Sequence, residues 1–142
     1  MKEIFDKRYP VTNFFLLVTA LVFLLMLLTT GGNFDRADTL FRFGAMYSPA
    51  IRLVPSQIWR LFSAIFVHIG WEHFIVNMFS LYFLGRQVEE IFGSKQFFFL
   101  YLLSGMLGNL FVFAYTPRAL AAGASTALYG IFAAIIVLRY AS

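Results

Sequence analysis

Apolar residues along this chain come in long blocks, without the alternation of a half-buried strand or the three-and-four spacing of a surface helix. The first block lies between Arg8 and Asp35 and is densest from Phe14 to Leu28. Roughly 20 apolar residues in a helix cross about 30 Å of hydrocarbon, so this block predicts a spanning helix. Lys2, Lys7 and Arg8 precede it, as in a cleaved leader, but the apolar core is too long for one and no small-x-small cleavage pattern follows. The second block, from about Trp71 to Leu84, is short and the least lipid-like: it carries His73, Asn77 and Ser80 and ends at Gly85, Arg86, Glu89 and Glu90. The third lies between Lys95 and Arg118 and is strongly apolar from Phe97 to Phe113, with Ser104, Gly105, Gly108 and Asn109 near its middle. The fourth begins around Gly123 and ends at Arg139, with Pro117 and Arg118 as the breaker before it.

Between the first two blocks, from Gly31 to about Arg60, Gly, Asn, Asp, Arg and Pro mix with Phe41, Phe43, Met46, Tyr47, Ile51 and Trp59. This composition predicts a long loop lying in the membrane interface, aromatic side down, with Trp59 and Arg60 at headgroup level. In the fourth block Gly123, Ala127, Gly130 and Ala134 line small side chains along one helical stripe. Ser104 and Gly108 offer the same spacing in the third, so close packing of these two helices is expected.

Composition agrees with an all-α membrane protein of four transmembrane helices and a long interfacial first loop. Of 142 residues, 61% are hydrophobic, 13% charged and 19 are phenylalanine, more apolar surface than a soluble fold of this length can bury. Net charge is +4, but the basic residues stand singly at segment ends and form no stripe that could follow a phosphate backbone, so nucleic acid is not an expected partner. Cysteine is absent and histidine occurs twice, which excludes thiol chemistry and makes a metal site hard to build; neither cofactor nor metal is expected. A cytoplasmic N-terminus places Lys2, Lys7, Arg8, Arg86, Lys95 and Arg139 inside and Arg36, Arg42, Arg52, Arg60 and Arg118 outside. Three of the inner six flank the first helix, which usually dominates orientation, so a multi-pass plasma-membrane protein of bacterial type with its N-terminus inside is the expectation.

Polar groups inside a spanning helix are costly, so each calls for a partner or a role. His73 and Asn77, four residues apart, share a helical face and could present an imidazole N–H and an amide NH₂ to one point. His68 stands further out, near the end of the loop. The second element is Gly123-Ala124-Ser125, a serine behind two small residues at the start of an apolar helix. There the free backbone N–H groups and the positive end of the dipole favour an oxyanion, and Tyr129 lies four residues on, on the serine's own face. Each piece has an ordinary structural reading as well: packing for Ser125, a loop carbonyl for His73, interhelical hydrogen bonding for Asn77 and interface anchoring for Trp59 and Arg60.

Taken together these residues resemble the rhomboid family of intramembrane serine proteases over nearly the whole chain. His68-x₄-His73-x₃-Asn77-Met78 resembles the family's second-helix signature. Trp59-Arg60 resembles the Trp-Arg of its first loop, and Gly123-Ala124-Ser125 the Gly-x-Ser of its fourth helix. Gly85, Glu89 and Gly93-Ser94 fall where the family carries a Gly/Glu/Gly pattern, whereas Thr126 replaces a Gly common after the nucleophile. The resemblance implies Ser125 as nucleophile, His73, Asn77 and the Ser125 N–H as oxyanion hole, and Tyr129 packed on the catalytic imidazole. It implies substrates that are helix-destabilised transmembrane segments of other proteins. The family core has six helices and draws its catalytic histidine from the sixth. Residues 1–142 are therefore expected to form one rhomboid-like domain truncated after its fourth helix, whose base lies outside this chain. Two other functions are compatible with the pattern: a rhomboid-like binder of membrane clients without protease activity, and a small transport or assembly subunit with His73 and Asn77 lining a path.

Overall fold

The computed structural model describes residues 5–32 and 36–141; Lys2 and Asp35, used above to place charge and boundaries, lie outside them. The chain forms helices α1 (Pro10–Thr30), α2 (Ala37–Arg42), a two-residue strand β1 (Met46–Tyr47), and helices α3 (Ser48–Leu53) and α4 (Arg60–Ser63). There follow α5 (Gly70–Phe92), α6 (Ser94–Tyr115), a second short strand β2 (Leu120–Ala121) and α7 (Ser125–Ala141); single 3₁₀ turns occupy Pro55–Trp59 and Ala64–Phe66. The architecture is an all-α membrane fold built on α1, α5, α6 and α7.

Proline starts α1, where its missing N–H leaves nothing unpaired. Gly31 ends it at φ 62° by donating its N–H to the Leu27 carbonyl, a left-handed cap that glycine adopts without strain. Among the described residues α1 and α6 are by themselves long and apolar enough to cross a bilayer, with mean hydropathies of 2.6 and 1.9. Ahead of α1, Asp6 accepts from both the side chain and the backbone N–H of Arg8. Those bonds hold its carboxyl down at about 2, from an ordinary 3.8.

Helix α5 differs from expectation. The charged run Arg86–Glu90 reads as a stop after Leu84, yet the helix continues to Phe92. The reason lies 77 residues upstream. Glu89, only 3% exposed, accepts hydrogen bonds from the backbone N–H groups of Val11 and Thr12 (both 2.9 Å) and from the Thr12 (2.8 Å) and Ser94 (2.6 Å) hydroxyls. One carboxylate thus caps the orphan first-turn amides of α1 and ties α6 to both. Arg86 lies over the Tyr82 ring at 4.0 Å, so this charge too is housed along the helix.

The loop before α5 keeps an outward apolar face, with Leu53, Ile58, Trp59 and Phe62 exposed, as an interfacial segment requires. Arg60 does not join Trp59 at the surface. It is buried, its guanidinium bonded to Gln57 Oε1 and to the carbonyls of Phe41 and Ala45 and stacked on the Phe41 ring. An arginine whose Nε and one terminal nitrogen are bonded to three acceptors organises a loop from within. Two further bonds pin the loop to α6: Asn109 Nδ2 to the Leu61 carbonyl at 2.8 Å, and Arg52 to the Phe113 carbonyl at 2.9 Å. Asn109, a polar residue at mid-helix, has its partner there.

The α6–α7 pair is the most extensively packed in the fold. A Cβ on Gly108 would lie 2.6 Å from the Thr126 Cβ, and one on Gly130 would collide with the Ser104 side chain, so the two helices meet along the small-residue seam that their spacing predicts. Gly123 is the exception. It stands ahead of α7 and faces α5 instead.

Candidate active site

A cleft of about 310 Å³ opens between α5 and α7, lined by Val76, Asn77, Ser80, Leu84, Ser125 and Tyr129 among others. Ser125 is the first residue of α7 and half-buried. The segment leading to it is fixed at successive backbone groups. Strand β2 pairs antiparallel with β1, Met46 opposite Ala121 and Tyr47 opposite Leu120, and Ser48 N–H donates to the Ala119 carbonyl at 2.9 Å. Gly123 N–H then donates to the Ala64 carbonyl at 2.8 Å, and Ala124 N–H to His68 Nε2 at 3.2 Å. Beyond the serine, the Thr126 hydroxyl donates to the Gly105 carbonyl of α6 at 3.3 Å. Thr126 therefore ties the helix start to its neighbour.

Gly123 adopts φ +118°, a conformation in which an L side chain is strained. Its bare Cα lets the second helix come close: a Cβ there would collide with His73 Cε1 and lie 2.9 Å from His73 Nε2 and 3.5 Å from Asn77 Nδ2. Both α5 nitrogens therefore converge on the Gly123–Ser125 turn. His73 Nδ1 accepts from the Ile69 N–H over a long 3.4 Å contact, which assigns the imidazole proton to Nε2, the nitrogen facing Gly123. Asn77 is only 6% exposed and its Nδ2 has no hydrogen-bond partner among the described residues, an amide donor not engaged by the fold at the cleft wall.

His68 occupies the break where the Pro55–Phe66 segment and α5 meet at 76°, its ring centroid 5.1 Å from that of His73. Tyr129 lines the same cleft one turn below Ser125, 75% exposed. Trp59 and Arg60 are not part of this cleft; they shape the loop that carries β1. Sequence reasoning passed over Leu128 and Phe132, which also line the cleft. Their spacing of three and seven from Ser125 is the signal that could have found them. The Ala64 carbonyl and Ala124 amide carry no side-chain signature at all.

Residues 55–142 match the sequence profile of the Rhomboid domain family. The chain is 32% identical over 133 residues to Rhomboid protease GluP of Bacillus subtilis, an alignment covering 94% of this chain and 25% of that protein. It is 38% identical over 93 residues to Rhomboid-like protease 3 of Toxoplasma gondii, covering 66% of this chain and 35% of the relative. It is also 38% identical over 80 residues to RHOMBOID-like protein 1 of Arabidopsis thaliana, covering 56% of this chain and 21% of the relative. The chain thus spans between 21% and 35% of the length of these three relatives.

Proposed function

Because the chain belongs to the rhomboid family, we propose that it carries the nucleophile and oxyanion hole of an intramembrane serine endopeptidase acting on transmembrane segments of other proteins. The observation that carries this reading is the convergence of His73 Nε2 and Asn77 Nδ2 on the turn that ends in Ser125. Two donors brought to one turn, beside a hydroxyl at a helix N-terminus, suit the charge of a tetrahedral intermediate.

In this reading Ser125 Oγ attacks the scissile carbonyl carbon and its proton passes to an imidazole supplied from outside these 142 residues, since His73 serves as an oxyanion donor and His68 Nε2 already accepts the Ala124 N–H. The carbonyl oxygen becomes an oxyanion bonded by His73 Nε2–H, Asn77 Nδ2–H and the Ser125 N–H, under the positive end of α7. Collapse breaks the C–N bond, the imidazolium protonates the leaving amine, and water then hydrolyses the acyl ester. Water reaches this depth because the cleft wall carries Asn77, Ser80 and Ser125 among its apolar residues. We place the protein in a plasma membrane of bacterial type with its N-terminus cytoplasmic.

The test is cleavage of a membrane-embedded reporter by the protein with its dyad imidazole present. Ser125→Ala should abolish cleavage, and Asn77→Ala should lower kcat by about 10²–10³ with little change in KM, as for loss of one oxyanion donor. Cleavage that survives Ser125→Ala would remove the serine from the reaction, and reporter binding that never leads to cleavage would favour the client-binding function.

A further inference from the structure

The proposed chemistry leaves His68 without a task, although it is the more deeply buried of the two imidazoles, only 1% exposed. A ring with two polar nitrogens is costly to bury unless they are matched, so its burial calls for a reason. Its Nε2 accepts the Ala124 N–H at 3.2 Å, the amide immediately before the proposed nucleophile. Ala124 precedes the first residue of α7, in the region where a helix has N–H groups without partners of its own. One residue earlier, the Gly123 N–H goes to the carbonyl of Ala64, in the 3₁₀ turn that leads into His68. Two successive amides of the serine turn are thus held by one short stretch of chain, at the 76° break before α5. The same ring abuts the other half of the site. Its centroid is 5.1 Å from that of His73, and Phe74 meets it edge-on at 5.9 Å.

We infer that His68 is a positioning residue for the Ser125 reaction, a neutral imidazole protonated on Nδ1 whose Nε2 accepts the Ala124 N–H and so sets the serine turn against His73 and Asn77. The site needs an acceptor at that point rather than bulk or positive charge: an Nε2 that carried a proton would present a donor to a donor. Glutamine can place its Oε1 near where Nε2 stands, whereas methionine fills similar volume without a comparable acceptor. The inference rests on the hydrolase reading for its kinetic consequence only; the hydrogen bond itself belongs to the chain whatever it catalyses.

Two readouts separate these. In the 142-residue chain in lipid nanodiscs, Ala124 amide exchange measured by NMR should quicken about tenfold or more in His68→Met and stay within about threefold of wild type in His68→Gln, with the Leu81 and Tyr101 amides unchanged as a control on folding. In the protein with its dyad imidazole present, kcat should fall by about tenfold or more in His68→Met, remain within about threefold in His68→Gln, and KM should hold in both. A packing role predicts the opposite order, the polar glutamine doing worse than methionine. That order in either readout, or Ala124 exchange unaltered in His68→Met, overturns the inference. If the methionine variant does not fold, the glutamine variant alone decides: wild-type exchange and turnover support His68 as acceptor, and loss of both refutes it. Failure of the hydrolase reading would appear as cleavage by Ser125→Ala and would leave the exchange result standing.

Discussion

At position 123 the absence of a side chain does chemical service. Gly123 stands at φ +118° with the imidazole of His73 where a Cβ would be, so the turn before Ser125 and the donors of α5 can touch only because nothing intervenes. Gly123→Ala should therefore act twice. The backbone would carry a conformation costing about 1–2 kcal/mol for an L residue, and the new methyl would push the ring away from the point on which it converges with Asn77. Thermal unfolding in detergent should show the first effect. Reporter cleavage should show the second, as a loss in kcat of about tenfold or more in protein that still folds. A variant that folds and cleaves at the wild-type rate would mean that the His73 contact is irrelevant to turnover. The shared face of His73 and Asn77 was legible in their spacing of four, and the structure sets that face against Gly123, two residues before Ser125. The Ala64 carbonyl and Ala124 amide were not, since every residue carries such groups and only the fold decides which are used.

Among the elements, α5 shows why charge is an ambiguous signal in a membrane protein. Arg86, Glu89 and Glu90 look like the end of a span, but Glu89 is the acceptor that the first turn of α1 requires, and the helix runs on to deliver it. Nothing near Pro10 in the sequence announces a cap from so far downstream. The first-turn amides of α1 have no acceptor of their own in its first turn, and an amide left unmatched at the edge of hydrocarbon costs several kcal/mol. Glu89→Ala should destabilise the bundle by about 3 kcal/mol or more, with Glu89→Gln intermediate, measured by unfolding in mixed micelles of increasing SDS content. A loss under about 1 kcal/mol would show that water caps α1 equally well. The small-residue seam of α6 and α7 was legible, because glycine spacing maps directly onto close approach. The β1–β2 pairing was not: two residues per strand are too few to set an alternating pattern, and the pair exists because Ser48 and Ala119 are brought together by the helices around them. Arg60 was misread for a related reason. Beside a tryptophan it looks like an anchor for headgroups, and only the carbonyls of Phe41 and Ala45 turned toward it explain its burial.

On the scale of the whole molecule, a bundle with two strongly apolar helices and a cleft that carries Asn77, Ser80 and Ser125 would reconcile the proposed hydrolysis with a bilayer. Spanning helices exclude water, and Asn77 and Ser80 of α5 stand on the side that faces Ser125, while the first loop keeps an exposed apolar face. The all-helical class and membrane setting were legible from block lengths alone. The cleft was not, because which face of α5 meets which face of α7 is set by packing between helices distant in sequence. Tyr129 and Phe132 lie open on the cleft wall.

Covalent labelling with a fluorophosphonate probe, mapped by peptide mass spectrometry, addresses the nucleophile without presuming a substrate. With the dyad imidazole present, the adduct should form on Ser125 and vanish in Ser125→Ala; the 142-residue chain alone should label no faster than that variant. An adduct on any other residue, or labelling of the isolated chain as fast as of the dyad-complete protein, would contradict a hydrolase built on Ser125.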